Sequence, residues 1–147
     1  MKCNRLMKEL LAGCGELSPD DFAAAEKCID KLFKDVRFEN GCLFLATHNG
    51  KANPENITDK VEFEAWHNEI LINAEFPKRH ITPAFAMQFF DRFNARLRSE
   101  YGEKICAIMS EDDGRWTYRF HIVREEEPLW ISEDLERFGQ PIMYDVF

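Results

Sequence analysis

Thr82-Pro83-Ala84-Phe85-Ala86-Met87-Gln88-Phe89-Phe90-Asp91-Arg92-Phe93-Asn94-Ala95-Arg96-Leu97 brings Phe85, Phe89, Phe93 and Leu97 round at every fourth position, while Lys104 to Arg124 alternates in steps of two. The first period belongs to one buried face of a helix and the second to strands. Thr82 with Pro83 opens the helix and Gly102 stops it, so this segment is predicted to be the spine of the core. Beyond it, Lys104 to Ser110 and Arg115 to Arg124 read as a hairpin across Glu111-Asp112-Asp113-Gly114. Trp116, Tyr118, Phe120 and Ile122 share one face of its second strand.

Working outward, Val36 to Glu39 and Cys42 to Thr47 flank Asn40-Gly41, a dipeptide suited to the two positive φ angles of a type I′ turn. Ser18 as N-cap, Pro19 at the first helical position and acids in the first turn predict a helix running to about Lys34, with Leu17 against Phe22 as a staple. Lys2 to Cys14 reads as a shorter helix with Leu6, Leu10 and Leu11 on one side. After a polar loop from His48 to Asp59, Val61, Phe63 and Ala65 alternate with Glu62, Glu64 and Trp66, and Ile70, Ile72, Ala74 and Phe76 alternate again. Residues 61–76 therefore read as a further hairpin, with a helix through Phe63 to Asn73 as the alternative. Ser132-Glu133-Asp134-Leu135 could cap one helical turn, and Ile142 to Phe147 suits a last strand. The expected fold class is α+β: a single domain, residues 1–147, with an antiparallel sheet built from hairpins and helices packed on one face.

A chain of 147 residues, 45% hydrophobic and 31% charged with thirteen Phe, can build one substantial core. The charged, discontinuous start from Met1 to Glu9 predicts neither a signal peptide nor a membrane anchor, hence a cytoplasmic protein without a membrane partner. Five cysteines, Cys3, Cys14, Cys28, Cys42 and Cys106, are odd in number and widely spaced, which favours reduced thiols. With His48, His67, His80 and His121 isolated from them, no metal and no cofactor are expected.

Charge is distributed unevenly. Residues 125–147 hold seven carboxylates and one cation, Arg137, and so carry -6 of the net -8. Glu125, Glu126, Glu127, Glu133, Asp134 and Glu136 are interleaved with Trp130, Phe138 and Tyr144, the mixture of steering charge and anchoring aromatic found at protein interfaces. These six acids and Trp130 are the candidate partner-binding residues, and the expected partner is a basic protein. Lys78, Arg79, Arg92, Arg96 and Arg98 form a smaller opposite cluster. It is too small in so acidic a chain for direct nucleic-acid binding, and a solvated helix face or pairing with the acidic segment would account for it. No nucleophile is marked beside a histidine, Cys106 sits in an apolar strand, and no phosphate-cradling motif occurs, so no catalytic residue is assigned.

The run Glu125-Glu126-Glu127-Pro128-Leu129-Trp130-Ile131-Ser132-Glu133-Asp134, set in one compact acidic α+β chain, resembles the bacterial immunity proteins of contact-dependent and polymorphic toxin systems. The resemblance implies stoichiometric neutralisation of a toxin domain, with a cationic nuclease as the natural target of an acidic face. A second reading is a cone-like α+β fold resembling nuclear transport factor 2, in which Tyr118 or His121 would line an enclosed pocket for a small ligand.

Overall fold

In the computed structural model, which describes residues 1–147, the elements in chain order are β1 (Lys2–Cys3), α1 (Arg5–Ala12), α2 (Pro19–Phe33), β2 (Val36–Glu39), β3 (Cys42–Leu45), α3 (Lys60–His67), β4 (Ile70–Leu71), α4 (Ile72–Glu75), α5 (Pro83–Glu100), β5 (Ile105–Asp112), β6 (Arg115–Ile122) and β7 (Ile142–Val146). Five strands form an antiparallel sheet in the order β1-β7-β5-β6-β4, and β2 pairs with β3 in a separate hairpin. The protein is thus α+β. No helix is long and apolar enough to cross a membrane.

The local signals act as their chemistry requires. Thr82 and Ser18 accept hydrogen bonds from Phe85 N and Asp21 N at the starts of α5 and α2, and Asp21 closes a capping box by accepting from Ser18 N. Both tight turns place an Asn or Asp and then a Gly at positive φ, 51° and 75° at Asn40-Gly41 and 51° and 83° at Asp113-Gly114. One sheet face, including Ala107, Met109, Tyr118, Phe120 and Met143, meets α1, α2 and α5 in the main core. Here Tyr118 lies 4.8 Å from the Phe93 ring centroid and donates its hydroxyl to Asn94 Oδ1 at 2.7 Å. The other face carries Cys106, Ile108, Ile142 and Tyr144, covered by Ile131 and Leu135 from the acidic segment.

Three boundaries differ from the sequence reading. Lys2–Cys3 is an edge strand paired with Met143 and Tyr144, and the helix begins only at Arg5, because the Asn4 side chain caps it by accepting from Met7 N. The expected turn at Ser132 is a short 3-10 helix, Leu135–Arg137, with no side-chain cap. Most consequentially, residues 61–76 are not a hairpin. They form α3, a two-residue strand and α4, with Val61, Glu64, Ala65 and Asn68 all turned inward at helical spacing.

Those two inward polar residues join the two sheets. Glu64 accepts from Leu43 N on β3 at 2.6 Å and from Ile122 N on β6 at 3.2 Å. One turn later, the Asn68 side-chain oxygen accepts from Leu45 N at 2.8 Å while its amide donates to Leu43 O and Phe120 O. Asn73 accepts from Trp116 N further along the same β6 edge. Side chains thus do the work of a missing strand between the β3 and β6 edges. Burial pushes the Glu64 carboxyl above its usual range, and the Arg124 guanidinium at 2.5 Å together with the two amides draws it back. Arg124 continues the tie by donating to Gly41 O at 2.8 Å.

Glu64→Ala should therefore cost about 3 kcal/mol, because it strands the partly buried Arg124 charge as well as two buried amides. Urea unfolding measures this directly, and a loss below about 1 kcal/mol would be incompatible with the bridging role.

Candidate protein-docking face

The acidic segment is fastened at both ends by carboxylates bound to helix N-termini. Glu127 accepts from Lys60 N at 3.2 Å and Val61 N at 2.8 Å at the start of α3, and Glu136 accepts from Arg5 N at 2.8 Å at the start of α1. A negative group there satisfies free amides and meets the positive end of the helix dipole. Asn4 reinforces the second attachment by donating to Gln140 O and accepting from Ile142 N. Two of the seven candidate residues therefore hold the fold together.

Between these anchors, Trp130 is positioned by its backbone and its ring. Its amide donates to His121 Nε2 at 3.3 Å, and the Arg119 guanidinium lies 4.1 Å from the centre of its indole. Arg119 also donates to Ala65 O at 3.0 Å and Glu69 Oε2 at 2.8 Å, which ties Trp130 to the C-terminal half of α3. The segment thus runs alongside α3, from Glu127 at its first turn to Trp130 near its last. Trp130 remains 37% exposed.

On the same side, Trp66 is 60% exposed and donates its indole N–H to Glu62 Oε1 at 2.6 Å. Glu62 and Glu69 both act electrostatically on Arg119, whose own charge burial disfavours and these carboxylates support. Helix α3 and the segment beside it thus carry two exposed indoles, Trp130 stacked on Arg119 and Trp66 bonded to Glu62; Glu125, Glu126, Glu133 and Asp134 are exposed along the segment, the last two lining a shallow depression with Trp130. Trp66, Glu62, Glu69 and Arg119 were not among the residues expected from the sequence. Asp59-Lys60-Val61-Glu62 was the available signal, since Asp59 caps α3 by accepting from Glu62 N and a helix from that point turns Glu62 and Trp66 outward.

The remaining candidates lie in ordinary structural surroundings. Arg92 pairs with Glu26 and Arg96 with Asp30 and Glu100, so these two cations are matched by α2 and α5, whereas Arg98 pairs with no carboxylate and lies 4.8 Å over the ring of Phe147. His121 is fully buried, its Nδ1–H donating to Ile122 O at 2.9 Å. None of the principal surface grooves is lined by Tyr118 or His121, the groups expected in a cone-like pocket. Burial pushes the Cys28 and Cys106 thiols up to about 12, which keeps them protonated and poor nucleophiles at neutral pH. No three His, Cys, Asp or Glu side chains converge to hold a metal ion.

Fold and face together define an acidic α+β protein that presents two solvent-exposed indoles in an acidic surround. The sequence matches the uncharacterized protein PM0498 family over residues 2–146, and the chain belongs to that family. No curated protein and no solved structure matches it.

Two predictions separate structural from surface acids and define the pH response. Glu127→Ala should lower stability by about 1 kcal/mol through loss of its capping bonds. Glu125→Ala, Glu126→Ala, Glu133→Ala and Asp134→Ala should each stay within about 0.5 kcal/mol of the parent in the same melts. For His121, burial holds the folded-state pKa below the usual value of 6.5. The unfolded chain then takes up a proton that the folded chain refuses, so stability falls as pH drops through about 6.5, by at most about 1.4 kcal/mol per pH unit. Denaturation between pH 7.5 and 5.5 should show a shallower fall for His121→Gln than for the parent.

Proposed function

We propose that this protein is a stoichiometric binder of a basic protein, most concretely an immunity protein that neutralises a cognate cationic toxin such as a nuclease. The observation that carries the proposal is the pair of exposed indoles, Trp130 stacked on Arg119 and Trp66 on the neighbouring helix α3, together with the exposed carboxylates along the acidic segment. Large exposed aromatics are the side chains that contribute most when an interface closes over them. Unpaired acids at the rim accelerate encounter with a cation-rich surface, which suits an inhibitor that must capture its target before damage is done. The anchoring of the segment at Glu127, Trp130 and Glu136 also supports the reading, because a surface held in place before binding loses less entropy when it docks. Within the face, Glu125, Glu126, Glu133 and Asp134 steer, and Trp130 and Trp66 hold.

Binding kinetics with a cationic nuclease toxin domain, the class of partner proposed, test the reading. Neutralising the four steering acids to Gln or Asn should slow association about 10-fold or more at low salt and flatten its salt dependence. Trp130→Ala and Trp66→Ala should each weaken binding by about 2 kcal/mol, mainly through faster dissociation. Unchanged rates in all these variants would place the interface elsewhere, and absence of any complex would remove the proposal.

A further inference from the structure

The largest concavity of the molecule shares no residue with the face just described. It is an open groove of about 890 Å³ along the outer side of α2, closed at one end by Glu75 and Phe76. It continues through Phe76 into the depression at Pro77 to His80, and through Lys31 and Lys34 into a second depression beside Asp35 and His48. The three adjoin through these shared residues and are together termed the trough along α2. Its floor is apolar and low: Ala23, Ala24 and Cys28 present almost no side-chain height, and Phe76 is half-buried with its ring 4.9 Å from that of Phe85.

The charges along the trough are not balanced. Glu26 is bound by Arg92, Asp30 by Arg96, and Glu75 by Lys31 at 3.4 Å and His48 at 3.6 Å. Asp35 accepts from Thr47 N and His48 N, and Arg79 at the far end is matched by Asp20 and Asp21. Every carboxylate lining the trough therefore already has partners. Lys27, Lys34 and Lys78 have none within ion-pairing distance. Lys27, Lys31 and Lys34 fall at i, i+4 and i+7 on α2, so they form a rail along one side, with Lys78 at the end.

We propose that this trough is a second docking site, for an acidic amphipathic peptide segment of a partner protein lying against α2. The three unmatched ammonium groups supply the complement to its carboxylates. The small-residue floor lets a helix or extended segment approach closely and seat apolar side chains beside Cys28 and Phe76. Nucleic acid fits less well. Phosphates would engage the lysines and leave the floor unused, and the net charge of -8 opposes a long polyanion. This site would therefore select the opposite charge from the face at Trp130, so one chain could contact two partners of opposite sign.

The test is titration of the full-length, nitrogen-15-labelled protein, followed by amide shifts. The probe is a synthetic 18-residue helix with leucines on one face and glutamates on the other. Controls are the same helix with glutamine for every glutamate and an 18-nucleotide oligothymidine. The acidic peptide should move the amides of Ala23 to Lys34 and of Glu75 to Lys78. A triple variant, Lys27→Gln, Lys34→Gln and Lys78→Gln, should weaken that binding at least 10-fold at low salt without altering the melting curve, as all three residues are exposed. Should those substitutions destabilise the protein, single replacements at Lys27 and Lys78 serve in their place. The proposal is overturned if the acidic peptide leaves these amides unmoved, if the glutamine helix binds equally well, or if oligothymidine binds there more tightly.

Discussion

Glu64 and Asn68 are the pair on which the arrangement of the molecule depends. The β3 and β6 edges each carry backbone groups that need partners, yet no strand lies between them. Helix α3 occupies that gap and supplies a carboxylate and a carboxamide, one turn apart, whose combined donors and acceptors match both edges. A buried carboxylate is tolerated only where its charge is matched and its lone pairs are filled, and Arg124 with two amides meets that condition. This tie also sets the rotation of α3 about its own axis. With Glu64 and Asn68 inward, Glu62 and Trp66 have to face solvent, and Ala65 O is left to receive Arg119.

The face that carries Trp130 and Trp66 is thus a product of the interior as much as of its own residues. Arg119 reaches from the sheet to α3 and at the same time stacks on Trp130, so one guanidinium fixes an indole from a loop relative to a helix. Glu127 and Glu136 have a comparable role at the two ends of the segment. Their bonds to helix amides turn a stretch whose composition could suit a mobile tail into part of the second sheet face, where Ile131 and Leu135 are buried against Ile108 and Tyr144.

Much of the fold could be read from the sequence, because its signals were local. The spacing of Phe85, Phe89 and Phe93, the caps at Ser18 and Thr82, and the Asn40-Gly41 and Asp113-Gly114 turns each express one short-range rule, and each holds. For residues 61–76 the hairpin reading fails, and the alternative of a helix through Phe63 to Asn73 holds only in part, for a physical reason. Two of the four inward positions of α3 are polar, so the apolar stripe that would have marked a helix is interrupted at Glu64 and Asn68, and the alternation of the neighbouring residues reads as a strand. Their partners lie on β3 and β6, some twenty and fifty to sixty residues away along the chain. Local periodicity cannot register such contacts. Trp66 stays hidden in the sequence with the helix that carries it, whereas the composition of its segment singles out Trp130.

The strand order carries a further consequence for how the protein comes into being. The last strand in sequence, β7, is an interior strand, hydrogen-bonded on one side to β5 and on the other to β1, the first. Without β7 the hairpin of β5 and β6 has one edge open, and β1 has no neighbour. Only when Ile142 to Val146 follow can the sheet close and the second hydrophobic cluster form beneath Ile131 and Leu135. The surface that carries Trp130 therefore depends on β7, because the cluster that Ile131 and Leu135 join includes Ile142 and Tyr144.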